Sequence, residues 1–139
     1  MRLLRTTLAP AIFLVCSSTM HAQLAWLPLG PDDANWPSLG DSHYQDIALD
    51  GSGNPVVAHL DGANGGLTVV RWNGAAWSVV GTPGISAGYA QYLSLALDAG
   101  GNPVVAYRDD ANGGKTTVMR WNGAAWSVVA LPAFLMEAT

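Results

Sequence analysis

One short stretch of the sequence carries oxygen side chains at the spacing used by calcium loops. In DGSGN, Asp50, Ser52 and Asn54 stand at alternate positions, which is typical of a loop that wraps a calcium ion. The related stretch DAGGN begins at Asp98 and has glycine in the middle position, so it lacks one of these ligands. A plain β-turn explains both stretches without a metal. We therefore expect turns and no cofactor, with calcium as the alternative.

Four tryptophans, Trp72, Trp77, Trp121 and Trp126, suggest a surface on which a sugar or a cofactor stacks. Their repetition on either side of two short hairpins favours packing between neighbouring strands instead. The Asp-rich turns resemble the paired carboxylates of glycoside cleavage. Catalytic groups rarely recur in every repeat, however, and the chain has no Gly-x-Ser-x-Gly motif. We expect no catalytic residues, and a glycan-active enzyme is the third interpretation of the function.

The positions of these residues follow from an internal repeat. The decapeptide RWNGAAWSVV occurs at residues 71–80 and again, unchanged, at residues 120–129. Upstream, the two Asn-Pro pairs begin at Asn54 and Asn102, 48 residues apart, whereas the decapeptides lie 49 residues apart. One residue has therefore been inserted near Lys115, where a loop would absorb it. A period near 50 residues is the length of a propeller blade.

Each period predicts four strands and no helix. In chain order they are DIALD or SLALD, PVVAHLD or PVVAYRD, LTVVRW or TTVMRW, and AAWSVV. Glycine and proline separate the first strand from the second, because glycine supplies positive φ and proline opens a strand without losing a ladder donor. Asn73-Gly74 and Asn122-Gly123 predict the hairpin before the fourth strand. Nearly continuous apolar strands predict sheets that are covered on both faces.

The order SLALD, GNPVVAY, RWNG and WSVVG resembles a blade of secreted bacterial β-propellers, with blades of kelch-like length. The resemblance covers nearly all of the chain after the N-terminal segment. It implies blades packed radially, with IAL and LAL nearest the axis and AAWSVV at the rim. Because AWLPLG at residues 25–30 matches AWSVVG at residues 76–81, the N-terminal part adds one more fourth strand. We predict an all-β, incomplete propeller: two four-stranded antiparallel blades plus one N-terminal strand.

These features divide the chain into five segments. They are a signal peptide at 1–22, an N-terminal strand and linker at 23–41, blade 1 at 42–81, blade 2 at 82–130 and a C-terminal tail at 131–139. Closed propellers typically have 4–8 blades, so two blades leave two sheet faces bare, and soluble monomers rarely tolerate such apolar patches. Three explanations remain open: copies of the chain assemble, the chain is a truncated piece of a longer propeller, or its last residues cap it.

The N-terminal segment is typical of a secretory signal. Arg2 and Arg5 precede an apolar run at residues 8–15, and small polar residues follow up to Ala22. That run is far shorter than the roughly 20 residues that span a bilayer. We therefore expect a secreted or periplasmic protein without a membrane span. Cys16, the one cysteine, would be removed with the signal, so disulfides and thiolate zinc sites are excluded from the mature chain.

Charge narrows the class of partners. Without the two arginines of the signal, four basic residues stand against ten acidic ones, a net charge of −6. An acidic chain with no basic cluster is a poor partner for nucleic acid or an anionic membrane. We expect as partners further copies of the chain, the missing blades of a longer propeller, or a glycan or protein ligand.

The candidate binding residues lie in loops that would share one face if the strands run as in other propellers. They are Trp36, His43, Tyr44, Asp61, Tyr89, Tyr92, Asp109 and Asp110. This mixture of aromatic and carboxylate groups suits a sugar or a peptide, and turn formation with aromatic packing is the alternative. We predict a non-catalytic secreted β-propeller fragment that acts as a binding or assembly module. A lectin-like carbohydrate-binding propeller formed by self-association is the alternative function.

Overall fold

The computed structural model describes residues 41–129, which form two antiparallel four-stranded sheets. Sheet 1 contains β1 (Ser42–Leu49), β2 (Pro55–Asp61), β3 (Gly66–Trp72) and β4 (Trp77–Val79), and sheet 2 contains β5 (Ala90–Leu97), β6 (Pro103–Asp109), β7 (Lys115–Trp121) and β8 (Trp126–Val128). A single 3-10 turn, Asp110–Asn112, is the one helical element of this range. The predicted all-β class with two four-stranded antiparallel sheets is confirmed. The predicted signal peptide, N-terminal strand and C-terminal tail lie outside the described residues.

The two Asn-Gly hairpins have the same local geometry. In β3–β4, the Asn73 side chain accepts hydrogen bonds from the backbone amides of Ala75 and Ala76 at 2.9 and 2.8 Å. Asn122 makes the same two bonds in β7–β8. Gly74 has φ of +97°, a conformation that residues with a Cβ rarely adopt. The identical decapeptides therefore fold into identical turns.

The first strand of each sheet begins four residues before the predicted start. The register of β1 against β2 shifts between His43 and Asp46, and that of β5 against β6 shifts between Gln91 and Ser94. An extra residue on one strand makes a β-bulge, which lets pairing continue past an irregular segment. At the bulges, Tyr44 and Tyr92 have φ of 50° and 52°. The apolar pattern ends at these bulges, which is why it predicts strands that are too short.

Each sheet has two chemically different faces. We call the leading face the one that carries Val56, Ala58, Val69 and Arg71 in sheet 1, and Val104, Ala106, Val118 and Arg120 in sheet 2. The trailing face carries Ile47, Leu49, Val57 and Val70 in sheet 1, and Leu95, Leu97, Val105 and Met119 in sheet 2. The leading face of sheet 1 packs on the trailing face of sheet 2, and this contact forms the hydrophobic core.

Hydrogen bonds also cross between the sheets. One carboxylate oxygen of Asp46, in β1, accepts the backbone amide of Leu95, in β5, at 2.6 Å. The guanidinium of Arg71 donates to the carbonyl of Gly101 in the β5–β6 turn. Hydrogen bonds form only in defined geometries. These contacts therefore fix the relative position of the two sheets more closely than apolar packing alone would.

Candidate functional site

The loops predicted to form a binding face bring three tyrosines together. The rings of Tyr44 and Tyr92 have centroids 5.6 Å apart, and Tyr89 approaches Tyr44 edge-on at 6.5 Å. All three are exposed, with fractional exposures of 38% for Tyr44, 45% for Tyr89 and 70% for Tyr92. We call this group the tyrosine cluster. His43 is exposed beside it in the chain, and Trp36 lies outside the described residues.

Two of the predicted site carboxylates belong to turns. Asp61 and Asp109 are buried, with exposures of 0% and 5%. The Asp61 carboxylate accepts the amide of Ala63 at 3.0 Å and the hydroxyl of Thr68 at 3.3 Å. Asp109 accepts the amide of Ala111 and the hydroxyl of Thr117 in the same way. Their acceptor capacity is used within the fold, as the turn-forming alternative predicted.

The third carboxylate is on the surface. Asp110 pairs with the guanidinium of Arg108 at 2.7 Å, and the same guanidinium nitrogen donates to the Gln91 side chain at 3.1 Å. Both charged side chains are close to half exposed, at 44% and 40%. Solvent therefore competes with any charged ligand at this position, which makes it a weak recognition element.

The calcium-like stretches form capped turns. One oxygen of Asp50 accepts the amides of Ser52 and Asn54, both at 2.9 Å, and Asp98 does the same in the second copy. The backbone amide of Asn54 is the main cause that lowers the pKa of Asp50 below its ordinary value. Within residues 41–129, no three His, Cys, Asp or Glu side chains lie close enough to hold a metal ion.

A cleft of about 420 Å³ lies beside the second hairpin. Its lining residues are Gly81, Thr82, Gly84, Ile85, Met119, Trp121, Ala124, Ala125 and Trp126. The linker after β4 forms one wall, and β7 and the β7–β8 hairpin form the other. We call it the tryptophan cleft. Its volume falls in the range of ordinary small-molecule sites, about 300–1,000 Å³.

The two tryptophans of the cleft are held in place from several sides. Trp121 and Trp126 contact each other with ring centroids 5.7 Å apart and planes at 54°. The indole N–H of Trp126 donates to the carbonyl of Val80, across the boundary between the sheets, at 2.7 Å. Because this bond occupies the one donor of the ring, Trp126 is fixed in orientation. The indoles therefore form a rigid wall.

Glycine lets the linker lie directly against these rings. Gly81 has φ of +82°, and a Cβ on it would lie 2.8 Å from Cζ3 of Trp121 and 3.0 Å from Cδ1 of Trp126. Farther along the linker, the amide of Ile85 donates to the carbonyl of Leu67 at 2.7 Å, and the hydroxyl of Ser86 accepts the amide of Leu67 at 2.9 Å. The linker is thus tied to the outer edge of β3, which sets the width of the cleft.

The chemistry of the cleft suits a neutral ligand with one apolar face. None of its nine lining residues carries a charge, and the polar side-chain groups among them are the Thr82 hydroxyl and the two indole N–H groups. Aromatic rings offer a large apolar surface at little entropic cost, and backbone groups of the linker can supply hydrogen bonds. A pyranose ring, with a C–H face and hydroxyls at its edge, has this combination of properties.

The sequence suggested either a stacking surface for a sugar or cofactor, or packing between strands, at the four tryptophans, and packing was favoured. The packing is present, since Trp72 and Trp77 make the same ring pair as Trp121 and Trp126. What the pattern could not supply is the return of the linker at residues 81–85 onto a hairpin 40 residues later. The glycine that ends AWSVVG was the available signal, because glycine often marks a close backbone approach.

Comparison with known proteins adds little to this picture. No protein-family model matches the chain, and no curated protein matches it. Among solved structures, a fucose lectin from Kordia zhangzhouensis in complex with methyl-fucoside is similar, with 20% identity and a TM-score of 0.43. The similarity covers 63% of this chain and 62% of that lectin. The chain thus spans less than two thirds of the lectin's length.

Proposed function

We propose that the chain is a non-catalytic, exported module of the incomplete-propeller type, and that it binds a neutral carbohydrate in the tryptophan cleft. The observation that carries this proposal is the pair of fixed indoles that lines an uncharged cleft of about 420 Å³. It is the lectin-like alternative among the functions that the sequence suggested.

Three features support a sugar over other small molecules. The absence of charge among the lining residues disfavours phosphates, carboxylates and ammonium groups, because a buried charge needs a partner. A purely apolar ligand would leave the Thr82 hydroxyl and the linker backbone without partners. Rigid aromatic walls favour a rigid ring, since little conformational entropy is lost when two rigid surfaces meet.

The tyrosine cluster is the second candidate for ligand contact. Its three rings are exposed on one surface, and two of them stand on backbone at positive φ, which is uncommon for a bulky residue. Strained backbone tends to occur at functional sites. None of its residues lines the tryptophan cleft, so we assign the cluster a supporting role.

The proposal is tested by measuring the binding of neutral monosaccharides and oligosaccharides to the purified full-length chain, by glycan array and then by calorimetry. We expect Trp121→Ala to weaken binding at least tenfold, because it removes one aromatic wall. Trp121→Phe, which keeps a ring, should retain most of the affinity.

The control is Thr116→Val, which changes an exposed threonine of β7 outside the cleft. It should leave affinity unchanged, whereas Thr82→Val should weaken it. Binding that survives Trp121→Ala in a folded protein would remove the cleft from the proposal, and binding lost by variants of the tyrosine cluster would move the site there.

A further inference from the structure

Two apolar surfaces of residues 41–129, the leading face of sheet 2 and strand β1 on the trailing face of sheet 1, have the same residue positions as surfaces that form the core. On the leading face of sheet 1, Val56, Ala58 and Val69 are fully buried. The residues at the same positions of sheet 2, Val104, Ala106 and Val118, are only half-buried. The same apolar surface is therefore covered in one sheet and open in the next.

On the trailing faces, sheet 2 is the covered one and part of sheet 1 is open. In sheet 2, Leu95 is buried against sheet 1, with an exposure of 9%. Its counterpart in sheet 1, Ile47, is 60% exposed, and the neighbouring Leu49 is 64% exposed. The outer part of this face is already covered, since Val70 has no exposed surface. The open part is β1, the first strand of the sheet.

A polar contact between the sheets also has an open counterpart on each of these two surfaces. Arg71 reaches across to the carbonyl of Gly101, whereas Arg120, at the same place on sheet 2, is exposed. The carbonyl that would match it belongs to Gly53, which holds the same turn position and a similar backbone, with φ of +81° against +76° for Gly101. Sheet 2 thus carries the exposed donor, Arg120, and sheet 1 carries the matching acceptor, the carbonyl of Gly53.

From this complementarity we propose that copies of the chain associate head to tail, the leading face of sheet 2 in one copy packing on β1 and the β1–β2 turn of the next. The contact repeats the part of the contact between sheets 1 and 2 that β5 makes, with β1 in the place of β5, and it joins two different surfaces. Contacts of this kind close into rings when the rotation fits. Closed propellers have typically 4–8 blades, so two to four copies would complete one. The association does not depend on the identity of the ligand in the tryptophan cleft.

The test uses two variants, each blocked on one surface. Ala106→Glu places a charge on the leading face of sheet 2, and Leu49→Glu places one on β1. We expect the parent chain to have a mass of two to four copies by light scattering after size exclusion, and each variant alone to be a monomer. An equal mixture of the two should form a dimer, because one unblocked pair of surfaces remains.

Val128→Glu is the control, since Val128 is 59% exposed and lies on neither open surface. It should assemble as the parent does. Should a blocking variant fail to fold by circular dichroism, Arg120→Gln and Ile47→Ser replace the two blocks. A monomeric parent chain would overturn the proposal. The proposal would also be overturned if both variants still assembled, or if one variant alone formed a dimer, because the contact would then join two identical surfaces.

Discussion

The two repeats differ at a buried position of their second strands, where sheet 1 has His59 and sheet 2 has Tyr107. Both side chains are buried. Burial lowers the pKa of His59 below its ordinary value, because desolvation disfavours the imidazolium, and the nearby Asp61 opposes this shift. For Tyr107, burial first and Asp109 second raise the pKa to about 12, since both disfavour the phenolate.

Because His59 is buried, we expect the folded state to lose stability at mildly acidic pH. A folded-state pKa below the unfolded value near 6.5 means that the unfolded chain takes up a proton more readily. The stabilisation is complete above pH 6.5 and is lost as the pH falls through the lower folded-state pKa. We expect the free energy of unfolding, measured with urea, to decrease from pH 7 to pH 5. His59→Tyr, which installs the residue of the other repeat, should remove this dependence, and an unchanged slope would assign it to other groups.

At the scale of elements, one carboxylate hydrogen-bonds to both β1 and β5, the first strands of the two sheets. One carboxylate oxygen of Asp46 accepts a hydrogen bond from the amide of Ile47 at 2.9 Å. The other accepts one from the amide of Leu95 at 2.6 Å. The corresponding residue of sheet 2 is Ser94, which is exposed on the open leading face. The aspartate thus stands where two sheets meet, and the serine where sheet 2 has no neighbour among the described strands.

We therefore expect unequal effects from removing these two side chains. Asp46→Ala should lower the free energy of unfolding by roughly 1.5–3 kcal/mol, because it leaves a backbone amide at the interface without its charged acceptor. Ser94→Ala, at the same register position, should stay within about 0.5 kcal/mol of the parent chain. Urea unfolding of both variants gives the comparison. Equal losses would mean that the bond between the sheets contributes no more than the exposed serine.

Much of each sheet was predictable from the sequence, because its strands are apolar runs that end at glycine, proline and asparagine. The Asn-Gly hairpins are an example, and so are the turns capped by Asp50 and Asp98. The bulges at Tyr44 and Tyr92 were not predictable, since no local rule places a tyrosine at positive φ. The tryptophan cleft was missed for a related reason: it depends on where a linker lies in space, and periodicity describes strands only.

At the scale of the whole molecule, one core joins both sheets, and neither sheet covers its own apolar residues. Leu67 is fully buried in the cluster that also contains Val105 and Met119 of sheet 2. A domain that shares one core usually unfolds in one cooperative step. A substitution that disrupts the core in one sheet should therefore destabilise the other sheet as well.

Leu67→Ala tests this coupling. We expect it to lower the free energy of unfolding by about 2–5 kcal/mol, through lost burial and a cavity. Hydrogen exchange should show that amides of β7 in sheet 2 lose as much protection as amides of β3. Val128→Ala, at an exposed position, should change neither. Protection that falls only in sheet 1 would mean that the sheets unfold independently.

The polarity of the sheets, with one kind of face in front and another behind, also bears on how such a chain can change length. A tandem duplication of about 49 residues would add a sheet whose leading face matches the trailing face before it, because both surfaces are copied together. The new unit would need no new contact surface. A gene built this way can gain or lose sheets in single steps, and the unaltered decapeptides at residues 71–80 and 120–129 are what a recent step of this kind would leave.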